Sequence, residues 1–596
     1  MNELFNDGGN AKVVGMVQSS NEAASPLAAP YTIVCDYGST WTKATLVGAV
    51  DGVQRLIATR AAPTPTTPSG TPNLHAATMD ALQRMKLLTG VPESLPATRA
   101  DGDEGEVEVA ILPVGSSAPP MTVVVVAPNS GLARSTATLL ADCSYVGTIH
   151  SGAVVELLAN ARLGPRSRPD AVIVVEGRSG FPPNETQNIA RLFARTGVDT
   201  RLVPLLYCRP DEPTGGVAEF VGRLASTVVV CDLGEKPAYG ESAVRRNLDL
   251  LYAERMLIHG GARGLPFHPQ AASLSSNGAQ SIAARFAAAS GAESVLVVDV
   301  GGSSVSACYA HKIDNDLFDS YSVDAGIGLA SGAVDLYARA GADALAQWLP
   351  FEPRADELGA WAVTRATTPH ALPLTLREGF IEQAFIREAV GVALRRLDLK
   401  TPPALVIGAG ALASAVRPQV AVVLLIDALT KTLPDWTKMD IGVDTANSLS
   451  ALGALAAMDP ERAALIWELD SPRRVAAAVS ARGGRPRTPA VAATLDWEGG
   501  ALREIVQTGG LVAMRAPYGA TAGVMLSPAR GIKLMEVRHP EAAHFTLTPS
   551  SAYPLPQVLL DARPSASSRD AHARSAHILA YLASSLAYTE RELGSI

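Results

Sequence analysis

YTIVCDYGSTWTKATLVG, residues 31–48, is a short apolar run ending at Asp36, then a Gly-Ser-Thr turn, then a second run. The pattern returns at 294–311 as SVLVVDVGGSSVSACYAH. Asp36 matches Asp299, Gly38 matches Gly301 and Thr40 matches Ser303. Each run has strand character, so each copy predicts a β-hairpin with an acid and bare backbone at its turn. Two such turns facing one another can hold the phosphates of one nucleotide, with a metal ion between Asp36 and Asp299.

The two copies are unequal. Gly38, Ser39 and Thr40 offer amides and hydroxyls to phosphate oxygens, and Lys43 either neutralises phosphate or points to solvent. Gly301, Gly302, Ser303 and Ser304 repeat the turn without a lysine. A third turn, Gly408-Ala409-Gly410, follows the strand-like ALVI and opens a helix, where a base or ribose could approach the backbone closely. Asp324 stands just before Gly326 and Gly328 and is a candidate to position a water or the metal's hydration sphere. Any one of these turns alone is a weak signal. The order DxGST, DxGGS, VIGAG carries the nucleotide reading. The EGRSG loop at 176–180 reads as a tight turn in preference to a ligand contact.

Around these turns, apolar runs alternate with helical spacing. ATRAAPTPTTPSGTPN, 58–73, reads as loop, and ATMDALQRMKLLTG, 77–90, as helix; DGDEGEVE, 101–108, is an acidic turn. Strands are expected in MTVVVVAPNSG, DAVIVV, TRLVPLLYC and STVVVCDL, with a helix over 150–164, which together suggest a sheet covered by helices. NGAQSIAARFAAASG, 277–291, is a helix leading into the second hairpin, and GFIEQAFIREAVGVALRRL, 379–397, is an amphipathic helix of the core. After SARGGRPRTPA, 480–490, helical patterning gives way to short strand-like runs spaced by Gly and Pro.

With 596 residues the chain can bury several cores, and a net charge of −8 gives no support for a nucleic-acid partner. The five cysteines form no CxxC pair, the ten histidines show no HExxH, and neither a GxSxG elbow nor a GxxxxGK[ST] loop occurs. Residues before Tyr31 lack secretory-signal form, and no apolar stretch is long enough for a bilayer. A cytoplasmic protein without a membrane partner is the expectation.

VCDYGSTWTK, VVDVGGSS and VIGAG, in that order, resemble the actin-like ATPase superfamily that includes Hsp70 chaperones and sugar kinases. Within it the chain is most similar to the MutL family associated with glutamate mutase. The further stretches that carry this are VVAPNSGLARSTATLLADCSYVGTIHSG, PDAVIVVEGRSG, SVDAGIGLASGAVDLY, VIGAGALA, PYGATAGVMLSPARG and VLLDARP. The chain departs from the family pattern in EGRSGF, where a more Gly-rich loop is usual, and in VDAGIG, where Gly326 replaces an acid.

The resemblance implies an α/β protein with two ribonuclease-H-like domains around an ATP·Mg²⁺ cleft, to which the strand-like runs after the linker add a small C-terminal β-rich domain. The expected boundaries are a tail at 1–30, the two ATPase domains at 31–290 and 291–480, a β-rich domain at 491–565 and a helical tail at 566–596. It also implies an ATP- or ADP-binding accessory protein for an adenosylcobalamin-dependent carbon-skeleton mutase, with Asp36 and Asp324 in catalytic roles if ATP is slowly hydrolysed. No DxHxxG cobalamin signature is present, so cobalamin would belong to the partner. A small-molecule kinase, or a scaffold that has lost nucleotide use, are the alternatives.

Overall fold

The computed structural model describes residues 31–594, apart from 68–71, 90–108, 144, 161–168, 178–180, 183, 197–202, 210–227, 233–236, 262–264, 266, 269–270, 272–273, 314–315, 398, 400, 416, 434–435, 535–536, 539–541, 549–556 and 564–570. The expected tail at 1–30, the acidic turn at 101–108 and the second half of EGRSG lie outside the described residues.

Both predicted hairpins form. Tyr31–Tyr37 pairs antiparallel with Trp41–Val50, placing Asp36 opposite Lys43. Ser294–Val300 pairs antiparallel with Val305–Ile313, placing Asp299 opposite Ser306. Each hairpin gains a third antiparallel strand, Val53–Pro63 in one sheet and Asp316–Asp324 in the other. On its other side, each first strand takes a parallel neighbour, Val109–Gly115 or Leu405–Gly410. A fifth strand lies parallel beyond it, Leu274–Ser275 or Lys438–Val443. The two sheets therefore share one strand order, and the architecture is α/β with mixed sheets.

Two readings of the first half change. Val53–Pro63 is a strand although its second half was read as loop; as the edge of its sheet it tolerates the terminal proline. Residues 150–153 continue the strand Val146–Ala153, and among the described residues the helix there is Val154–Ala159; 161–164 lie outside them. That strand belongs to a separate all-parallel sheet with Met121–Ala127, Ala171–Val175, Leu205–Arg209 and Val228–Asp232. Ala171–Val175 is buried along its whole length, as a parallel strand covered on both faces must be.

Small residues let the central helices touch. Ser276–Ala287 and Ser448–Ala456 follow the fifth strands of the two sheets. A methyl group on Gly453 would lie 1.8 Å from the Ala279 carbonyl oxygen, so the backbones themselves are in contact. Residues of both helices share one apolar core with Val34 and Val47 of the first sheet, Val123 and Val125 of the parallel sheet and Val295 and Val297 of the second.

The C-terminal segment is woven into the second half. Arg473–Gly483 pairs with Lys438–Val443 on one side and with Gln557–Asp561 on the other, and Leu511–Arg515 continues the sheet. The stretch read as a linker thus begins inside a strand. Pro489–Trp497, Gly500–Gln507, Ala522–Pro528 and Ala543–Leu547 form a four-stranded sheet of their own. Arg563 also bridges buried Asp561 and Asp427, and Asp427 in turn pairs with Arg387 of helix Leu376–Arg395. Removing one member would strand a buried charge. A chain cut at Arg482 would lose both this network and two strands of the sheet, so residues 31–482 are not expected to fold without residues 491–565.

Candidate functional site

Asp36 ends its strand buried, with each carboxylate oxygen taking one hydroxyl. Ser276 donates to Oδ1 at 2.9 Å and Ser450 donates to Oδ2 at 2.9 Å. These serines stand on the two central helices, one after each sheet's fifth strand. Asp299 accepts from Gln280 Nε2, one helical turn beyond Ser276, so a single helix braces both acids.

A third acid, Asp444, completes the group. It caps helix Ser448–Ala456 by accepting from the Ser448 amide, the Ser448 hydroxyl and the Leu449 amide. Burial pushes the Asp299 carboxyl above the ordinary range; Lys43 and the Gln280 hydrogen bond oppose this, while Asp36 and Asp444 add to it. Burial likewise raises Asp444, against the helix amides, the Ser448 hydroxyl and Lys43. Lys43 does not point away into solvent: it is part-buried, and its Nζ donates to Asn447 Oδ1 at 2.6 Å.

The two glycine turns abut. A methyl group on Gly302 would lie 2.1 Å from Thr40 Oγ1. The Gly38 amide closes its turn on the Trp41 carbonyl at 3.1 Å, and the Gly301 amide closes its own on Ser304 at 2.9 Å. Among the described residues, the amides of Ser39, Thr40, Gly302 and Ser303 donate to no backbone carbonyl. Ser39, Ser303 and Ser304 are half-buried at the same place. Free amides beside hydroxyls are what an anion site requires.

Gly408 and Gly410 do not form a turn that opens a helix: they end the strand Leu405–Gly410, the next described helix is Pro418–Thr432, and the strand end closes on the second acid. Gly410 has φ 62°, and a methyl group there would meet Asp299 Oδ1 at 2.2 Å and the Val300 carbonyl at 2.4 Å. Gly408 packs against Leu412 and accepts the Asp444 amide at 2.9 Å. The structure thus brings Asp36, Gly38, Ser39, Thr40, Lys43, Asp299, Gly301, Gly302, Ser303, Ser304, Gly408 and Gly410 into one neighbourhood. Asp324 is engaged elsewhere: its Oδ2 takes Arg339 at 2.5 Å and Arg396 at 3.1 Å. The loop after it packs on the second turn, with the Ala330 and Gly332 amides on the Gly302 carbonyl.

Asp444, Asn447, Ser276, Gln280 and Ser450 escaped the sequence reading. The available signal was the GVDTANSLS segment, in which an acid follows an apolar strand-like run for the third time, here just before a helix.

The Thr40–Gly302 contact gives a direct check. Gly302→Ala is expected to cost about 1–2 kcal/mol in a chemical-denaturation midpoint, because Thr40 is buried and β-branched. Adding Thr40→Ala removes the clashing hydroxyl and should recover most of that loss. Strict additivity of the two substitutions would mean the turns do not touch.

Among solved structures, component A of (R)-2-hydroxyglutaryl-CoA dehydratase from Acidaminococcus fermentans aligns over 73% of this chain and 100% of its own, at 10% identity and a TM-score of 0.26. A carbohydrate kinase from Novosphingobium aromaticivorans aligns over 73% and 92%, at 16% identity and a TM-score of 0.25. A nucleotide-free acetone carboxylase aligns over 80% and 81%, at 11% identity and a TM-score of 0.28. No curated protein matches the chain. Residues 32–470, which hold both hairpins, both central helices and all three acids, match the family described as MutL protein, and the chain belongs to that family.

Proposed function

We propose that this chain binds ATP or ADP with Mg²⁺ between its two sheets of matching strand order, acting as the two ribonuclease-H-like halves of an actin-like ATPase. The observation that carries this reading is the contact between the two acid–glycine turns at Thr40 and Gly302. Neither turn alone distinguishes a phosphate site from a tight bend. Their meeting beside two carboxylates braced by one helix supports the phosphate site.

The residues suit the group. Three carboxylates converge with Lys43 as the cation that offsets them, and hard oxygen donors favour Mg²⁺. Asp36 and Asp299 would hold the ion, directly or through water; when bound, it would neutralise charge on the phosphate oxygens. The amides of Ser39, Thr40, Gly302 and Ser303 would receive the phosphates, with Lys43 alongside. Gly408 and Gly410 would let the nucleoside approach the backbone. Ser276 and Ser450 keep both Asp36 oxygens as acceptors, which suits orienting a water. The arginine pairs on Asp324 suit a positioning role, holding the loop that supports Gly302, better than a catalytic one.

The biological role we infer is nucleotide-operated support of an adenosylcobalamin-dependent carbon-skeleton mutase, on the family's association. Among the described residues, no helix is long and apolar enough to cross a membrane.

Isothermal titration with ATP, with and without Mg²⁺, tests the binding claim. Saturable binding strengthened by Mg²⁺ is expected, and a folded chain that shows none at millimolar nucleotide contradicts it. A metabolite panel with ADP detection addresses the role: slow turnover unaffected by added metabolites is expected. Turnover of tens per second on one hydroxyl compound, an order typical of enzymes, would make the chain a kinase instead.

A further inference from the structure

Asn447 stands where a helix cap belongs and does not cap. It immediately precedes helix Ser448–Ala456, and an asparagine there ordinarily accepts from a free amide of the first turn. Its side chain makes no such bond; Asp444 takes the Ser448 and Leu449 amides in its place. The Asn447 backbone is left-handed, with φ 52° and ψ 42°, a conformation asparagine tolerates and glycine adopts freely.

The side chain reaches the other half of the molecule instead. Its Oδ1 accepts from Lys43 Nζ, on the first sheet, at 2.6 Å. An ammonium can only donate, so the oxygen faces it and the orientation of the amide is fixed. Asn447 Nδ2 is buried and has no hydrogen-bond partner among the described residues. Lys43 is therefore the one polar group this side chain serves among the described residues. A second bond ties the same segment across: Thr59 Oγ1, on the strand Val53–Pro63, donates to the Ala446 carbonyl at 2.6 Å.

The kind of acceptor matters. The Lys43 charge draws down the carboxyls of both Asp299 and Asp444, so it lies within electrostatic reach of both. Among the described residues no carboxylate pairs with it directly. An acid at 447 would form an ion pair and cancel the charge, whereas a neutral amide fixes the ammonium and leaves its charge for an incoming anion. Because the two residues come from different halves, the ammonium is fixed in this way only while the halves meet.

We propose that Asn447 is the positioning residue for Lys43: it holds the ammonium uncancelled for a nucleotide phosphate, and so makes phosphate affinity depend on the contact between the two halves. This rests on the nucleotide reading and assigns what controls it.

The test is a double-substitution cycle on the full chain, read as ATP·Mg²⁺ affinity by isothermal titration, with thermal denaturation confirming that each variant is folded. Asn447→Gly deletes the side chain and leaves a residue at ease with the backbone, so ATP·Mg²⁺ should bind about tenfold more weakly to a folded chain. In a Lys43→Met background the same substitution should change affinity by less than about twofold, since nothing is left to position. Asn447→Asp keeps the shape and the acceptor but cancels the charge, and should also bind about tenfold more weakly. Should Lys43→Met bind too weakly to measure, Asn447→Asp decides alone. Equal losses from Asn447→Gly with and without Lys43, or parental affinity in Asn447→Asp, would make the side chain a support of the loop and overturn the proposal while the nucleotide reading stands. A parent chain that binds no ATP·Mg²⁺ at millimolar concentration would overturn both.

Discussion

Asp299→Asn is expected to weaken Mg²⁺-dependent nucleotide binding on the order of a hundredfold, about 2.7 kcal/mol, while leaving metal-free binding within a few-fold of the parent. The asparagine oxygen can still accept from Gln280, so the fold around the turn is kept. The same substitution should stabilise the chain without ligand. Asp299 and Asp444 have raised folded-state values because burial disfavours their charged forms and the acids repel. An acid raised on folding contributes stability that is present below its unfolded value, near 3.8, and lost as pH rises through its folded value. The unliganded protein is thus under electrostatic stress at neutral pH, and neutralising Asp299 relieves part of it. Mg²⁺ should relieve it too. Its stabilising effect in thermal denaturation is expected to be larger at pH 8 than at pH 5, since protonated acids compete with the ion. Equal Mg²⁺ effects at both values, or an unliganded Asp299→Asn less stable than the parent at pH 8, would place the metal away from these acids.

The second large effect is structural in origin and functional in outcome. Gly453→Ala puts a methyl group 1.8 Å from the Ala279 carbonyl oxygen and 2.5 Å from its carbon, so backbone must move. A cost of about 3 kcal/mol is expected. The contact joins the helix carrying Ser450 to the helix carrying Ser276 and Gln280, so the hydroxyls on Asp36 and the amide on Asp299 are displaced together whichever helix moves. Nucleotide affinity should then fall by far more than the fraction unfolded explains. Gly379→Ala is the control, since a methyl group there meets nothing within 4 Å; it should be neutral or stabilising by up to about 1 kcal/mol. Unaltered nucleotide binding in a folded Gly453→Ala chain would show that the helix contact does not set the site.

Local patterning was enough to find the hairpins. An apolar run, an acid and a glycine turn are a strand, its end and its reversal, and all the determinants lie within some 18 residues. The turn read at Gly408 and Gly410 is instead the end of the strand Leu405–Gly410, and the next described helix starts only at Pro418. Patterning failed where the partner is distant. Val53–Pro63 reads as loop because its Thr and Pro content outweighs its alternation, yet a completed hairpin offers it an edge to pair with. Gln557–Asp561 looks like part of a small domain, but its neighbours are Ala477–Ser480 and Leu511–Arg515. Nothing local in VLLDARP announces that pairing. Ser276, Gln280 and Ser450 were illegible for another reason. Serine and glutamine on a helix signal nothing until the acids they brace are in view. Asp444 was closer to legible: once two sheets of one strand order are granted, the end of the second fifth strand is a place to look.

The most direct test of the account is a crystal structure of the full chain with a non-hydrolysable ATP analogue and Mn²⁺ in place of Mg²⁺, using anomalous scattering to locate the metal. The account predicts one strong peak within direct or water-mediated reach of Asp36 and Asp299, with the phosphates on the amides of Ser39, Thr40, Gly302 and Ser303. A nucleotide bound elsewhere on the chain, or a metal peak distant from both acids with the nucleotide in place, would contradict it.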